Sequence, residues 1–173
     1  MKAHINWARV LKIVGSIAML VGAIDPLEGS LLILTGSGLV ALGTLIGKSE
    51  RRIIVYRISV FVLIAIGVAA MWGLSWVGGF GGSSGRSYWW GLLIIPYFIG
   101  WYMGIWGFDS PRWMVWSGIL IGLWYLALSL IVTSRPGPQL IFSTGLSFIL
   151  TIIGIVTISG SIYRLKNRLP SNE

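Results

Sequence analysis

YWWGLLIIPYFIGWYMGIWGFDSPRWMVWSGILIGLWY, residues 88–125, decides how this chain is read. It holds seven of the ten tryptophans: Trp89, Trp90, Trp101, Trp106, Trp113, Trp116 and Trp124. Its charges, Asp109 and Arg112, stand at its centre around Pro111. On either side lies an apolar arm of about 20 residues, the length an α-helix needs to cross the hydrocarbon of a bilayer. The stretch therefore reads as two antiparallel transmembrane helices turning at Phe108-Asp109-Ser110-Pro111-Arg112. Each arm carries a small-xxx-small spacing, Gly100 to Gly104 and Gly118 to Gly122, which lets a neighbouring backbone approach closely.

The rest of the chain has the same character. Of 173 residues, 55% are hydrophobic and 10% are charged, against about a quarter charged in an ordinary soluble domain. There is room for six spans with short loops, at about 8–24, 26–47, 52–77, 88–107, 111–133 and 140–163. A charged tail, 164–173, follows. The expectation is an all-α integral membrane protein: one bundle of six transmembrane helices in which short loops make successive helices antiparallel neighbours. The first apolar run also fits a cleaved leader, with Val21-Gly22-Ala23 resembling a small-residue cleavage site.

Loop chemistry sets the expected boundaries. In Asp25-Pro26-Leu27-Glu28-Gly29-Ser30, Asp25 fits an N-cap, Pro26 the first helical position and Glu28 the third, so span two starts at Pro26. Gly43 and Gly47 lighten its far end. Ser49 fits the N-cap of span three. Arg57 lies one turn inside that span and is expected to snorkel back to the headgroups. Pro96 is expected to kink span four. In span six, Thr144, Ser147, Thr151 and Gly154 form a polar-small stripe suited to interhelical hydrogen bonds.

Charge orients the chain. With the N-terminus inside, Lys2, Arg9, Lys12, Lys48, Arg51, Arg52, Arg112, Arg164, Lys166 and Arg168 fall on the inner side. Arg86 and Arg135 fall on the outer side. That bias places both termini in the cytoplasm. The formal charge of +8 then implies anionic lipid headgroups on the cytoplasmic side as partner rather than nucleic acid.

For chemistry, the inventory is short. The absence of cysteine and the single histidine, His4, exclude thiolate chemistry and an imidazole metal site, and no cofactor motif is visible. No Ser-His-Asp set and no paired carboxylates in a span point to catalysis. Three groups of candidates remain. Trp101, Tyr102, Trp124 and Tyr125 lie near mid-membrane, where indole and phenol hydrogens need acceptors. They could line a site for a quinone, an isoprenoid or another lipid. Asp25, Glu28, Arg86 and Arg135 could meet as a charge cluster on the outer face. Gly43, Gly47, Gly100, Gly104, Gly118 and Gly122 are candidate packing positions, and an unfilled glycine face would suit a homo-oligomer or another membrane protein. The reading is a non-enzymatic accessory or interaction protein of the plasma membrane, bacterial inner membrane by default. A small transporter or channel, or a binder of an apolar ligand at spans four and five, are the alternatives.

Overall fold

The computed structural model describes residues 6–25, 28–79, 87–107, 110–134 and 140–167, with residues 88 and 140–146 described by backbone alone. Regular structure among them is helical throughout: α1 (Trp7–Gly22), α2 (Ser30–Ile46), α3 (Arg51–Trp76), a 3-10 segment (Tyr88–Ile94), α4 (Ile95–Trp106), α5 (Arg112–Thr133) and α6 (Leu140–Lys166). Three of the six α-helices are long and apolar enough to cross a membrane: α3, α5, and α6 over its Ser147–Lys166 stretch. The chain divides into two units, residues 1–109 and 110–173, so the division falls inside the tryptophan-rich stretch.

In the first unit α1 packs on α2, α2 on α3 and α3 on α4. The α1–α2 contact brings backbone against backbone, with side chains such as Val40 and Ile33 closing in beside it. A Cβ on Gly36 would stand 2.6 Å from the Gly15 carbonyl oxygen, one on Gly22 2.5 Å from that of Gly29, and one on Gly43 2.9 Å from that of Ala8. Ala8, Gly15 and Gly22 on one helix thus face Gly43, Gly36 and Gly29 on the other, every seventh residue in an antiparallel register. A repeat of seven keeps one face of each helix against its partner over successive pairs of turns.

This register moves two boundaries. Span two was expected to open at Pro26, but regular helix begins at Ser30. Asp25 does act as a cap, its Oδ1 accepting from the Glu28 amide at 3.3 Å. The chain then makes one more turn, Gly29 N–H to the Asp25 carbonyl at 2.7 Å, because Gly29 must come back onto Gly22 first. Ser49 was expected to cap α3, but the N-cap is Glu50, without a side-chain cap bond. Ser49 belongs to the end of α2 instead: its amide donates to the Thr44 carbonyl at 3.2 Å and Lys48 turns the chain at φ 45°. The Ser49 hydroxyl accepts from Lys12 Nζ at 3.1 Å.

Span four also departs from expectation. Pro96 does not kink a continuous helix; it sits in the first turn of α4, and the residues before it form the 3-10 segment, capped by Ser87. Proline supplies no amide hydrogen for an α-type bond to the preceding turn, so the ladder changes type there. Against α3, Tyr97 lies where a Cβ on Gly67 would be 2.6 Å from its Cα, and Ile64 lies 3.0 Å (amide nitrogen) from a Cβ on Gly100.

In the second unit α5 packs on α6. A Cβ on Gly122 would be 2.9 Å from the Gly154 carbonyl oxygen, and one on Gly154 equally close to that of Gly122. One side of this crossing is tied by hydroxyls. Ser129 Oγ lies 2.8 Å from Ser147 Oγ and 2.7 Å from Thr151 Oγ1, and Thr133 Oγ1 lies 2.6 Å from Ser147 Oγ. The stripe read from the sequence is realised at Ser147, Thr151 and Gly154; the side chain of Thr144 is outside the described set.

Both units combine small residues at their closest helix contacts with buried aliphatic residues such as Ile64 and Val115, and both leave many large aliphatic residues outside. Gly, Ser and Thr occupy much of the helix contacts, while Leu120, Leu130, Phe148, Ile155, Val55 and Leu42 are exposed. In water such a surface would be an aggregation hazard. In lipid it faces its solvent, and small residues are what draw helices together there.

Candidate functional site

The chemistry of the first unit concentrates where α3 meets the C-terminal end of α4. Every α-helix ends with four backbone carbonyls that lack an intrahelical partner, and for α4 these come from Met103 onward. Two consecutive residues of α3 reach them. The Tyr56 hydroxyl donates to the Met103 carbonyl. Arg57 Nη1 donates to the Gly104 carbonyl at 3.1 Å, with its guanidinium carbon 5.7 Å from the centre of the Tyr56 ring.

Arg57 is therefore not the snorkelling residue expected from the sequence. It is 4% exposed, six residues inside α3, or about 9 Å along the helix at 1.5 Å per residue. Its charge lies at the negative end of the α4 dipole, which favours a cation there. A guanidinium removed from water is costly unless hydrogen-bonded, and the terminal carbonyls of α4 supply acceptors that headgroups would otherwise provide.

One turn back along α4, Trp101 is 3% exposed, and its Nε1 has no hydrogen-bond partner among the described residues. Its ring lies against Tyr102, centroids 5.0 Å apart and tilted by 54°. Tyr102 in turn stacks on Trp106 at 4.7 Å and 17°. The C-terminal half of α4 thus carries a buried indole N–H and a short aromatic stack beside the carbonyls that take up Tyr56 and Arg57.

The other candidates are placed as follows. Trp124 and Tyr125 lie on α5 in the second unit, Trp124 43% exposed and Tyr125 buried. Asp25 and Glu28 are exposed and joined through the Asp25 cap, while Arg86 and Arg135 lie outside the described residues. Gly43 and Gly47 are approached by α1 at Ala8 and Lys12. Gly104 is filled by Met19 of α1, whose Cε would be 2.5 Å from a Cβ there. Gly118 and Gly122 are buried on α5. The glycine face of α4 is thus occupied by the chain's own α1 and α3, and the oligomer expectation has to stand without it. Among the described residues, no three His, Cys, Asp or Glu side chains gather where they could hold a metal ion.

Sequence reasoning missed the seven-residue register of Gly15, Gly22, Gly29 and Gly36 and the Tyr56–Arg57 contacts with α4. The register was visible as a spacing; the contacts were not, because they join residues 47 positions apart. Comparison with protein-family models, with curated proteins and with solved structures finds no match to this chain.

Proposed function

We propose that this chain is a six-span integral membrane protein of the plasma membrane, with both termini cytoplasmic, that serves as a non-enzymatic accessory or interaction protein. The observation that carries this reading is the inside-out distribution of side chains, with glycine and hydroxyl residues in the helix contacts and large aliphatic residues facing out on both units. Helix lengths support the span count. The seven residues of the 3-10 segment and the twelve of α4 together rise about 32 Å at 2.0 and 1.5 Å per residue, close to the hydrocarbon thickness. The 16 and 17 residues of α1 and α2 rise roughly 24 and 26 Å, within what local thinning and flanking basic residues accommodate.

Because the chain lacks cysteine, single-cysteine variants report topology directly. Positions 48 and 167 should react with an impermeant maleimide only in inside-out vesicles, and positions 86 and 135 only in right-side-out ones. Any other pattern overturns the six-span orientation. For the interaction role, a photo-crosslinking residue at Leu120 or Leu130, both outward on α5, should yield a discrete polypeptide adduct in native membranes. Adducts to lipid alone would sink it.

The buried, unpartnered Trp101 N–H favours a second reading, a binder of an apolar ligand bearing a carbonyl, such as a quinone or a lipid ester. Saturable quenching of tryptophan emission by such a ligand, weakened by Trp101→Phe, supports it. Quenching unchanged by that substitution removes it.

A further inference from the structure

Where α1 begins, α2 ends and α3 begins, the fold gathers positive charge from three separate segments. The α1–α2 register brings Ala8 and Lys12 onto Gly43 and Gly47, and Lys12 Nζ reaches across to the Ser49 hydroxyl at 3.1 Å. Arg9, next to Ala8, is exposed, as are Lys48 and Arg51 on either side of Ser49. Glu50 is the one acid in residues 1–24 and 43–70. Crowding these cations costs Coulomb energy. Arg51 adds to that cost by standing in the first turn of α3, where the dipole disfavours a cation, with Glu50 at the N-cap as the one acid to offset it. Lys48, held at φ 45°, a backbone conformation that non-glycine residues rarely adopt, brings a further cation. The repulsion falls when an anion sits among the side chains.

We propose that Arg9, Lys12, Lys48 and Arg51 form a defined site for the phosphate of one anionic phospholipid, with Ser49 positioning Lys12. The inference rests on the membrane reading above, which puts the site at headgroup level, beside the exposed aliphatic residues Ile13, Leu45 and Ile46 that would meet the acyl chains. It goes further than a diffuse attraction of basic loops to a charged leaflet. It names one site, one stoichiometry and the residues that make it.

The test uses the full chain purified in neutral detergent, with native mass spectrometry against equal amounts of phosphatidylglycerol and phosphatidylcholine of the same acyl composition. One phosphatidylglycerol should be retained in preference to phosphatidylcholine. Lys12→Gln, Lys48→Gly and Arg51→Gln should each weaken it about fivefold, the equivalent of ~1 kcal/mol per basic residue near the surface. Lys48→Gly separates charge from folding, since glycine relieves the positive φ while removing the cation. The variant should be at least as stable as the parent and still bind more weakly. Equal retention of the two lipids, or phosphatidylglycerol binding unchanged in Lys48→Gly and Arg51→Gln, overturns the proposal. Release of the chain from membranes by alkaline carbonate is a different failure: it removes the membrane reading itself, and the site with it.

Discussion

The two helical hairpins of this protein solve one problem in two ways. In α1–α2 the helices are held mainly by close approach, with Gly15 on Gly36, Gly22 on Gly29 and Ala8 on Gly43, and a side-chain hydrogen bond appears only at the open end, from Lys12 to Ser49. In α5–α6 one glycine crossing, Gly122 on Gly154, is joined by hydroxyls of Ser129, Thr133, Ser147 and Thr151. Lipid gives no hydrophobic reward for bringing apolar helices together, so association must come from close packing or from hydrogen bonds. The first hairpin spends its small residues on contact along its whole length. The second concentrates directional bonds at one end. The first should therefore be intolerant of volume, and the second sensitive to the loss of a single oxygen.

The largest effect should come from breaking the first hairpin with volume. Gly36→Leu places a side chain into the Gly15 carbonyl and the Met19 backbone and should cost about 3 kcal/mol or prevent native packing, at the upper end of overpacking effects. Unfolding in mixed micelles followed by tryptophan emission would measure it. Next, Arg57→Leu leaves the Gly104 carbonyl without its charged donor, for a loss of about 2 kcal/mol, typical of a bond to a charged group. Hydrogen exchange at the end of α4 should rise with it, while exchange in α5–α6 stays unchanged. In the second hairpin, Ser129→Ala should cost about 1 kcal/mol. A double-mutant cycle with Ser147→Ala should show coupling of similar size, whereas additivity would mean the hydroxyls act singly. The smallest change has the opposite sign. Gly73 has nothing within 4 Å of the position its Cβ would take, so Gly73→Ala should stabilise by up to about 1 kcal/mol through helix propensity. A loss there would mean that Gly73 packs against something outside this chain.

Much of this fold could be read from residue types. The long apolar runs gave α3, α5 and α6 nearly to the residue, and the polar stripe on span six makes the interhelical hydrogen bonds it was suited to, with Ser129 as a partner its spacing did not name. The glycine hairpin was legible but was read at the wrong period. A search for spacings of four finds Gly43 and Gly47, whereas the working register repeats every seven residues. Other features depend on what the chain brings together. Nothing local to Arg57 says that α4 will end beside it and offer the Gly104 carbonyl. Nothing local to Ser49 says that its hydroxyl will be taken by Lys12. At residues 88–94, local propensity permits either helix type, and the missing amide of Pro96 decides between them. Trp101 was singled out for its depth, and the structure adds that its N–H is the buried one left without an acceptor among the described residues.

The glycine register has a consequence for how such a chain changes over generations. In a water-soluble protein the interior accepts one aliphatic residue for another, while the surface accepts almost anything polar. Here the roles are exchanged. Leucine, isoleucine, valine and phenylalanine facing the outside can replace one another freely, because acyl chains do not distinguish their shapes. Positions 15, 22, 29 and 36 admit no methyl group. Descendants of this sequence are thus expected to drift fastest in the letters that fill most of it and slowest in a sparse ruler of small residues. Their kinship would survive as a spacing long after it had faded as a text.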